Sequence, residues 1–150
     1  MKVVQAYHVI GHSERRSDGE DKVTGKAIYT VDVTLPGMAH GKILRSPYAH
    51  ARLRRIDASK AEKLPGVFAV ITRADQARLG MFGAAYKDQT IVAVDKVRYS
   101  GDPVAAVAAV DEATAEAALA LIDIDYEELP AVTDLDVALA SNAPLVHESA

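Results

Sequence analysis

The chain is 150 residues long, 49% hydrophobic and 25% charged, and its 17 basic and 21 acidic side chains give a formal net charge of −4. That length and balance suit one soluble domain and exclude a general electrostatic attraction to nucleic acid. There is no cysteine, which excludes disulfides, thiolate metal sites and a cysteine nucleophile, and no apolar run approaches the roughly 20 residues that span a bilayer.

Residues 1–27 read as an N-terminal arm. Val3–Ile10 fits a short strand. The stretch GHSERRSDGEDKVTG (Gly11–Gly25) is polar, rich in turn formers and without hydrophobic period. It reads as a solvated loop or as an arm lying on a partner surface. The opening MKVVQAYHVIGHSERR lacks the long apolar segment of a secretory signal, so a cytoplasmic location is expected.

Residues 28–140 carry the expected body. Lys26–Leu35 alternates in part, with Ala27, Tyr29, Val31 and Val33 on one face, as a strand closed by a Pro36-Gly37 turn does. Met38–Leu44 is a second strand, broken by Arg45-Ser46-Pro47. A third runs over His50–Ile56, where Leu53 and Ile56 fall out of phase, which a bulge explains. Asp57 or Ser59 caps a short helix with Ala58, Ala61 and Leu64 on one face, Asp57 being preferred. Pro65-Gly66 stops that helix, and VFAVIT (Val67–Thr72) reads as a buried strand. Thr72 with Asp75 signals a cap and a short helix to Leu79. Gly80–Lys87 reads as a flexible surface loop, and short strands are expected at Thr90–Val94 and Val97–Tyr99.

The organising stretch is Val97–Glu128. Pro103–Val110 has no polar side chain and fits a strand covered on both faces, although a buried helix gives a similar run. Val104, Val107 and Val110 favour the strand. Asp111 stands at an N-cap position, and Ala115, Ala118, Leu119 and Ile122 form a helical stripe. Ile122, Ile124 and Tyr126 then alternate with Asp123, Asp125 and Glu127 as in a half-exposed strand. Val137–Leu139 is expected to pack on the body, and residues 141–150 to form a tail or the start of a linker. The order of elements predicts an α+β fold with a mixed β-sheet and two main helices packed on it.

Chemistry-bearing residues are sparse. His8 and His12 have the i, i+4 spacing of helical metal ligands, but Val9, Ile10 and Gly11 oppose a helix there. No Gly-x-Ser-x-Gly elbow is present. Asp123, Asp125, Glu127 and Glu128 form an acidic run that reads as the wet face of an edge strand or as an acid–base pair. Arg45, Arg52, Arg54 and Arg55 form a basic cluster, either solvated or facing an anion. Gly80-Met81-Phe82-Gly83 lacks the lysine pattern of a phosphate loop. No catalytic, cofactor-binding or metal-ligating residue is assigned.

Three segments carry a family resemblance: RSDGEDKVTGKAIYTVD (Arg16–Asp32), HGKILRSPYAHARLRRIDASKAEKLPGVFAV (His40–Val70) and VRYSGDPVAAVAAVDEATAEAALALIDIDYEELPAV (Val97–Val132). In this order they resemble the N-terminal α/β-hammerhead domain of the large subunit of molybdenum hydroxylases. That family includes xanthine dehydrogenase, aldehyde oxidase, carbon monoxide dehydrogenase and 4-hydroxybenzoyl-CoA reductase. The resemblance implies a structural and interface domain, inactive alone, within a molybdopterin-dependent oxidoreductase. Molybdopterin and molybdenum are expected on domains that follow, and iron–sulfur clusters and FAD on partner domains or subunits. The arm 11–27 and the loop with Arg45, Ser46, Pro47 and His50 are the expected contact surfaces, and self-association of the isolated chain is a further expectation. Two competing readings are a stand-alone binding module with the hammerhead fold, and a small hydrolase or isomerase using the acidic strand.

Overall fold

The computed structural model describes residues 7–147, which divide into two compact units, 7–36 and 37–147. The first has no buried residue. It contains one helical turn, α1 (Gly19–Val23), which the absence of hydrophobic period had hidden. Asp18 lies just ahead of it, paired with Lys22 at 2.5 Å and Arg16 at 3.0 Å. The strand expected over Lys26–Leu35 is not formed. Instead Thr30–Asp32 makes a 3₁₀ turn, because the Asp32 carboxylate accepts the Tyr29 backbone N–H at 2.9 Å and no second strand pairs with the segment. Val31 is left 88% exposed. Of the expected strand Val3–Ile10, the portion to residue 6 lies outside the described residues, and His8–Gly11 bends into a turn.

The second unit follows the order β1 (His40–Arg45), β2 (Ala51–Asp57), α2 (Ser59–Glu62), β3 (Val67–Ile71), a 3₁₀ turn at Arg73–Asp75, α3 (Gln76–Leu79), β4 (Met81–Phe82), β5 (Gln89–Thr90), β6 (Lys96–Val97), β7 (Pro103–Ala109), α4 (Glu112–Ala120), β8 (Asp123–Glu128) and α5 (Leu135–Leu139). The expected single sheet is split in two. One sheet has the order β1-β7-β3, the other β6-β2-β8, and β4 with β5 forms a two-stranded ribbon. Every pairing is antiparallel. The phase slip between Leu53 and Ile56 is a register shift between Leu53 and Arg55, opposite β8.

Strand β7 serves both cores. Ala105, Val107 and Ala109 point to one face and join Ala58, Ala61, Ala115, Ala118 and Ile122. Val104 points the other way and joins Ala51, Leu53, Ala93 and Val97 beneath the second sheet. The first core is mostly alanine, and α2 and α4 meet the sheet through it. Helix α4 starts where the Asp111 carboxylate accepts the Thr114 N–H at 2.7 Å, a capping bond that satisfies one of the orphan donors of the first turn. On the same face, Lys42 of β1 ion-pairs with Glu112 and, at 3.1 Å, with Glu116. Gly66 enters β3 with φ +91°, and a Cβ there would lie 2.9 Å from Val110 Cγ1. That position admits only glycine without movement.

Several expectations are corrected. β3 is an edge strand, not a buried one: β7 covers one side only, and Phe68, at a register shift, is 62% exposed. In Thr90–Val94 only Thr90 lies in a strand. The rest bends, because Gln76 Oε1 takes the Ile91 N–H at 3.1 Å and Ala93 N–H reaches Pro103 O at 2.7 Å, which buries Val92 and Ala93. The Gly80–Lys87 stretch includes β4, so it is partly a hairpin arm. Helix α5 leaves Leu135, Val137 and Leu139 exposed rather than packed. Helix α2 starts one residue past the preferred cap: Asp57 Oδ1 accepts the Ser59 N–H at 3.1 Å, but Ala58 is the capping position. Finally, β7 is covered on one face beyond Val104, with Ala106 and Ala108 half-buried on the other.

Candidate functional site

The Arg45–His50 loop leaves β1 and returns into β2, and short bonds tie it down at both ends. Ser46 N–H donates to Asp102 O and Gly101 N–H to Ser46 O, each at 2.9 Å. Arg45 Nη1 donates to Gly101 O at 2.9 Å. The Ser46 hydroxyl donates to Tyr48 O and accepts the Tyr48 N–H, both at 3.0 Å. At the far end Leu129 N–H donates to His50 O, and His50 Nδ1 donates to Pro130 O at 2.8 Å. A carbonyl only accepts, so this bond puts the proton on Nδ1.

Four residues of this loop were candidate contacts, and the structure separates their roles. Ser46 and His50 are buried and shape the loop, while Arg45 and Pro47 are exposed on it. Tyr48 stands beside them, its ring 5.1 Å from that of Tyr126. Next to His50 lies a cleft of about 300 Å³, walled mainly by apolar groups from Ala49, Tyr99, Pro130–Thr133 and Val146.

The turn that receives the loop carries a partly buried acid. Burial pushes the Asp102 carboxyl above its ordinary range, against the smaller opposing pull of the Arg98 backbone N–H, which donates to Asp102 Oδ2 at 2.9 Å, and of the Arg98 guanidinium. Burial and the Asp102 charge together push the Tyr99 hydroxyl up. Arg98 Nη1 donates to Lys96 O and Nη2 to Asp95, at 3.2 and 3.4 Å. A half-buried carboxyl of this kind can mark a reactive site, yet here its partners are a backbone amide, a tyrosine and an arginine already engaged elsewhere.

The acidic run and the basic cluster turn out to be one feature. β2 and β8 are neighbours, with Arg52 across from Glu127 and Arg55 across from Asp125. Glu127 meets Arg52 at 3.7 Å and also pairs with Arg54; Asp123 accepts from Arg55 at 2.7 Å. Cross-strand pairing thus occupies Asp123 and Glu127, two members of the candidate acid–base set. His12 Nε2 contacts Tyr7 O, His50 is tied to Pro130, and among the described residues no three His, Asp or Glu side chains are grouped to hold a metal. Among those residues, too, no helix is long and apolar enough to cross a membrane.

Sequence reasoning missed Arg73. Its Nη1 donates to Leu53 O at 2.7 Å and Val94 O at 3.3 Å, and Nη2 to Arg54 O at 3.2 Å. The carbonyls of Leu53 and Arg54 lie where the β2 bulge interrupts the ladder. The Thr72–Asp75 cap, read correctly, sets the turn that aims Arg73. Nothing in the local pattern says that this arginine points inward.

Comparison with known proteins agrees with this geometry. The family model described as aldehyde oxidase and xanthine dehydrogenase, a/b hammerhead domain, matches residues 24–130. A probable xanthine dehydrogenase subunit of Bacillus subtilis is 47% identical over 136 residues, covering 91% of this chain and 18% of that protein. The carbon monoxide dehydrogenase large chain of Afipia carboxidovorans is 41% identical over 142 residues, covering 93% and 18%. Among solved structures, a Cu,Mo-CO dehydrogenase superposes with TM-score 0.81 at 41% identity, covering 90% of this chain and 17% of that one. The aldehyde oxidoreductase of Desulfovibrio gigas gives 0.79 at 32%, covering 89% and 16%. The chain therefore spans less than a fifth of the length of these relatives.

Proposed function

Because the chain belongs to the aldehyde oxidase and xanthine dehydrogenase a/b hammerhead family, we propose that it is the non-catalytic N-terminal interface domain of a molybdenum-containing oxidoreductase. The observation that carries this reading is the match over residues 24–130, joined to relatives at 41–47% identity whose chains are about five times as long. The arrangement of charge agrees with it. Acids and bases that looked like two half-sites neutralise each other across β2 and β8.

The residues described offer no grouped set of direct metal ligands. No three potential ligands converge among them, and the sequence has no cysteine. No reaction step is routed through these residues. In the proposed assembly, molybdopterin is held by downstream domains of the same subunit, and iron–sulfur clusters and FAD by further domains or subunits in the cytoplasm. In this proposal the arm 11–27 and the Arg45–His50 loop are contact surfaces. Arg45 and Pro47 present themselves, with Ser46 and His50 fixing the loop behind them. The proposed domain is residues 28–140, with 141–150 a C-terminal tail or the start of a linker.

The test is replacement. Residues 1–147 are exchanged for the matching segment of the Bacillus subtilis protein, and molybdenum content and dehydrogenase activity are measured. The exchanged subunit is expected to load metal and turn over, and the 150-residue chain alone to do neither. Turnover or stoichiometric molybdopterin binding by the isolated chain refutes the proposal.

A further inference from the structure

The sequence of β7 is that of a strand buried on both faces, and the structure covers one. Pro103–Val110 contains no polar side chain. Ala105, Val107 and Ala109 are fully covered by α2 and α4, and Val104 is covered by the second sheet. Beyond Val104 the opposite face is open. The register places Ile43, Ala106 and Ile71 in one row across the three strands, and Gly41, Ala108 and Ala69 in the next. Gly41, Ile43 and Ala69 are exposed, and Ala106, Ala108 and Ile71 half-buried. All six lack charge and hydrogen-bonding side chains. A solvated sheet face ordinarily alternates to polar residues, and this one does not.

We propose that this open face is the seat for an α-helix belonging to the part of the large chain outside residues 1–150, a helix that presents leucine-, isoleucine- or phenylalanine-sized side chains to the sheet. This rests on the reading of the chain as one domain of a larger subunit. Two observations name the occupant. In each solved relative this fold is embedded in a chain about six times its size, of which it covers 16–17%, so covering chain is at hand. The face is also nearly flat, four of its six residues being glycine or alanine. Packed elements lie about 10 Å apart and fill the gap with interdigitating side chains. A second copy of the same face brings small residues against small residues and leaves a void. An element with large side chains fills it.

The experiment uses the absence of cysteine. Ala69→Cys is made in the 150-residue chain and in the Bacillus subtilis protein carrying residues 1–147 of this chain. Alkylation of the peptide holding position 69 is timed by mass spectrometry. At least tenfold slower alkylation in the assembled subunit than in the isolated chain is expected. Ala108→Asp is expected to leave the isolated chain folded and to block assembly. Full reactivity of the introduced thiol in an assembled, metal-loaded subunit overturns the inference and leaves the domain reading standing. Failure of the exchanged subunit to assemble even with Ala69 and Ala108 intact overturns the domain reading, and the inference with it. Concentration-dependent protection of that thiol in the isolated chain overturns the occupant in favour of a second copy.

Discussion

Replacing Arg73 with methionine tests the claim that this side chain closes the β2 bulge. Methionine keeps most of the apolar stem and removes the guanidinium, so the change isolates its three carbonyl contacts. The bond to Leu53 O is 2.7 Å long, its acceptor residue is 3% exposed, and its donor is charged. Hydrogen bonds to charged groups contribute about 1.5–3 kcal/mol, and a buried carbonyl left unpaired costs a similar amount. The contacts to Arg54 O and Val94 O, at 3.2 and 3.3 Å, are weaker. Arg54 and Val94 are exposed residues, whose carbonyls water can serve after the change. The net loss is therefore set by Leu53 O, at about 2 kcal/mol. Urea denaturation then shows a midpoint lower by about 1 M, and thermal melting one lower by about 4–8 °C. Arg73→Lys, with a charge but no planar fork, recovers less than half of the loss. A midpoint for Arg73→Met within about 0.2 M of wild type refutes the reasoning.

Neighbouring residues on β7 should respond oppositely to the same charge. Val107→Asp, in the covered face and across from a Lys42 already held by two glutamates, costs at least about 3–5 kcal/mol and unfolds the domain by circular dichroism; Ala108→Asp, on the open face, melts within a few degrees of wild type. Equal losses contradict the face assignment. Asp102 and Asp111 should shift stability with opposite signs. Burial raises the folded Asp102 carboxyl, so its contribution is complete below the unfolded value and is lost as pH rises through the folded one. Asp102→Asn, whose side-chain oxygen still accepts the Arg98 N–H, is therefore more stable than wild type at neutral pH and equal to it in acid. The Asp111 carboxyl is lowered by its bonds to Thr114, so its contribution is complete above the unfolded value and is lost as pH falls through the folded one. Asp111→Ala accordingly melts a few degrees lower at neutral pH and shows no difference in strong acid. Amide exchange should be fast throughout 11–24, where no residue is buried, and slowest in β7; strong protection in 11–24 contradicts the reading of that segment as an arm.

What the sequence made legible was local. The Asp111 cap, the Thr72–Asp75 cap, the Pro65-Gly66 stop and the bulge before Ile56 each depend on chemistry within a few residues, and each is present. The central position of Pro103–Ala109 was legible too, because few other placements tolerate so long a run of apolar side chains. The failures share another cause. Lys26–Leu35 alternates as a strand does but has no strand beside it, and period alone cannot supply a partner. VFAVI was read as buried from composition, whereas its place at a sheet edge depends on which strands flank β7. The site shows the same divide. The acidic and basic runs were both visible, but their mutual pairing follows from β2 lying beside β8, across some 70 residues of chain.

That pairing bears on what this domain can bind. Of its arginines, Arg55 holds Asp123 and Asp57, Arg52 and Arg54 share Glu127, Arg98 holds Asp95, and Arg45 and Arg73 are spent on backbone carbonyls. A guanidinium committed to an internal carbonyl or carboxylate has little left for an outside anion, so these six arginines do not amount to an anion site. The rows Ile43–Ala106–Ile71 and Gly41–Ala108–Ala69 on the open face of β1, β7 and β3 carry no charged side chain at all. Association through such a face draws on removal of apolar area from water and is weakly screened by salt, whereas steering through opposite charges fades within a Debye length. On the proposed reading, the arginine–carboxylate pairs serve the β2–β8 ladder, and the apolar sheet face meets the rest of the subunit through burial rather than charge.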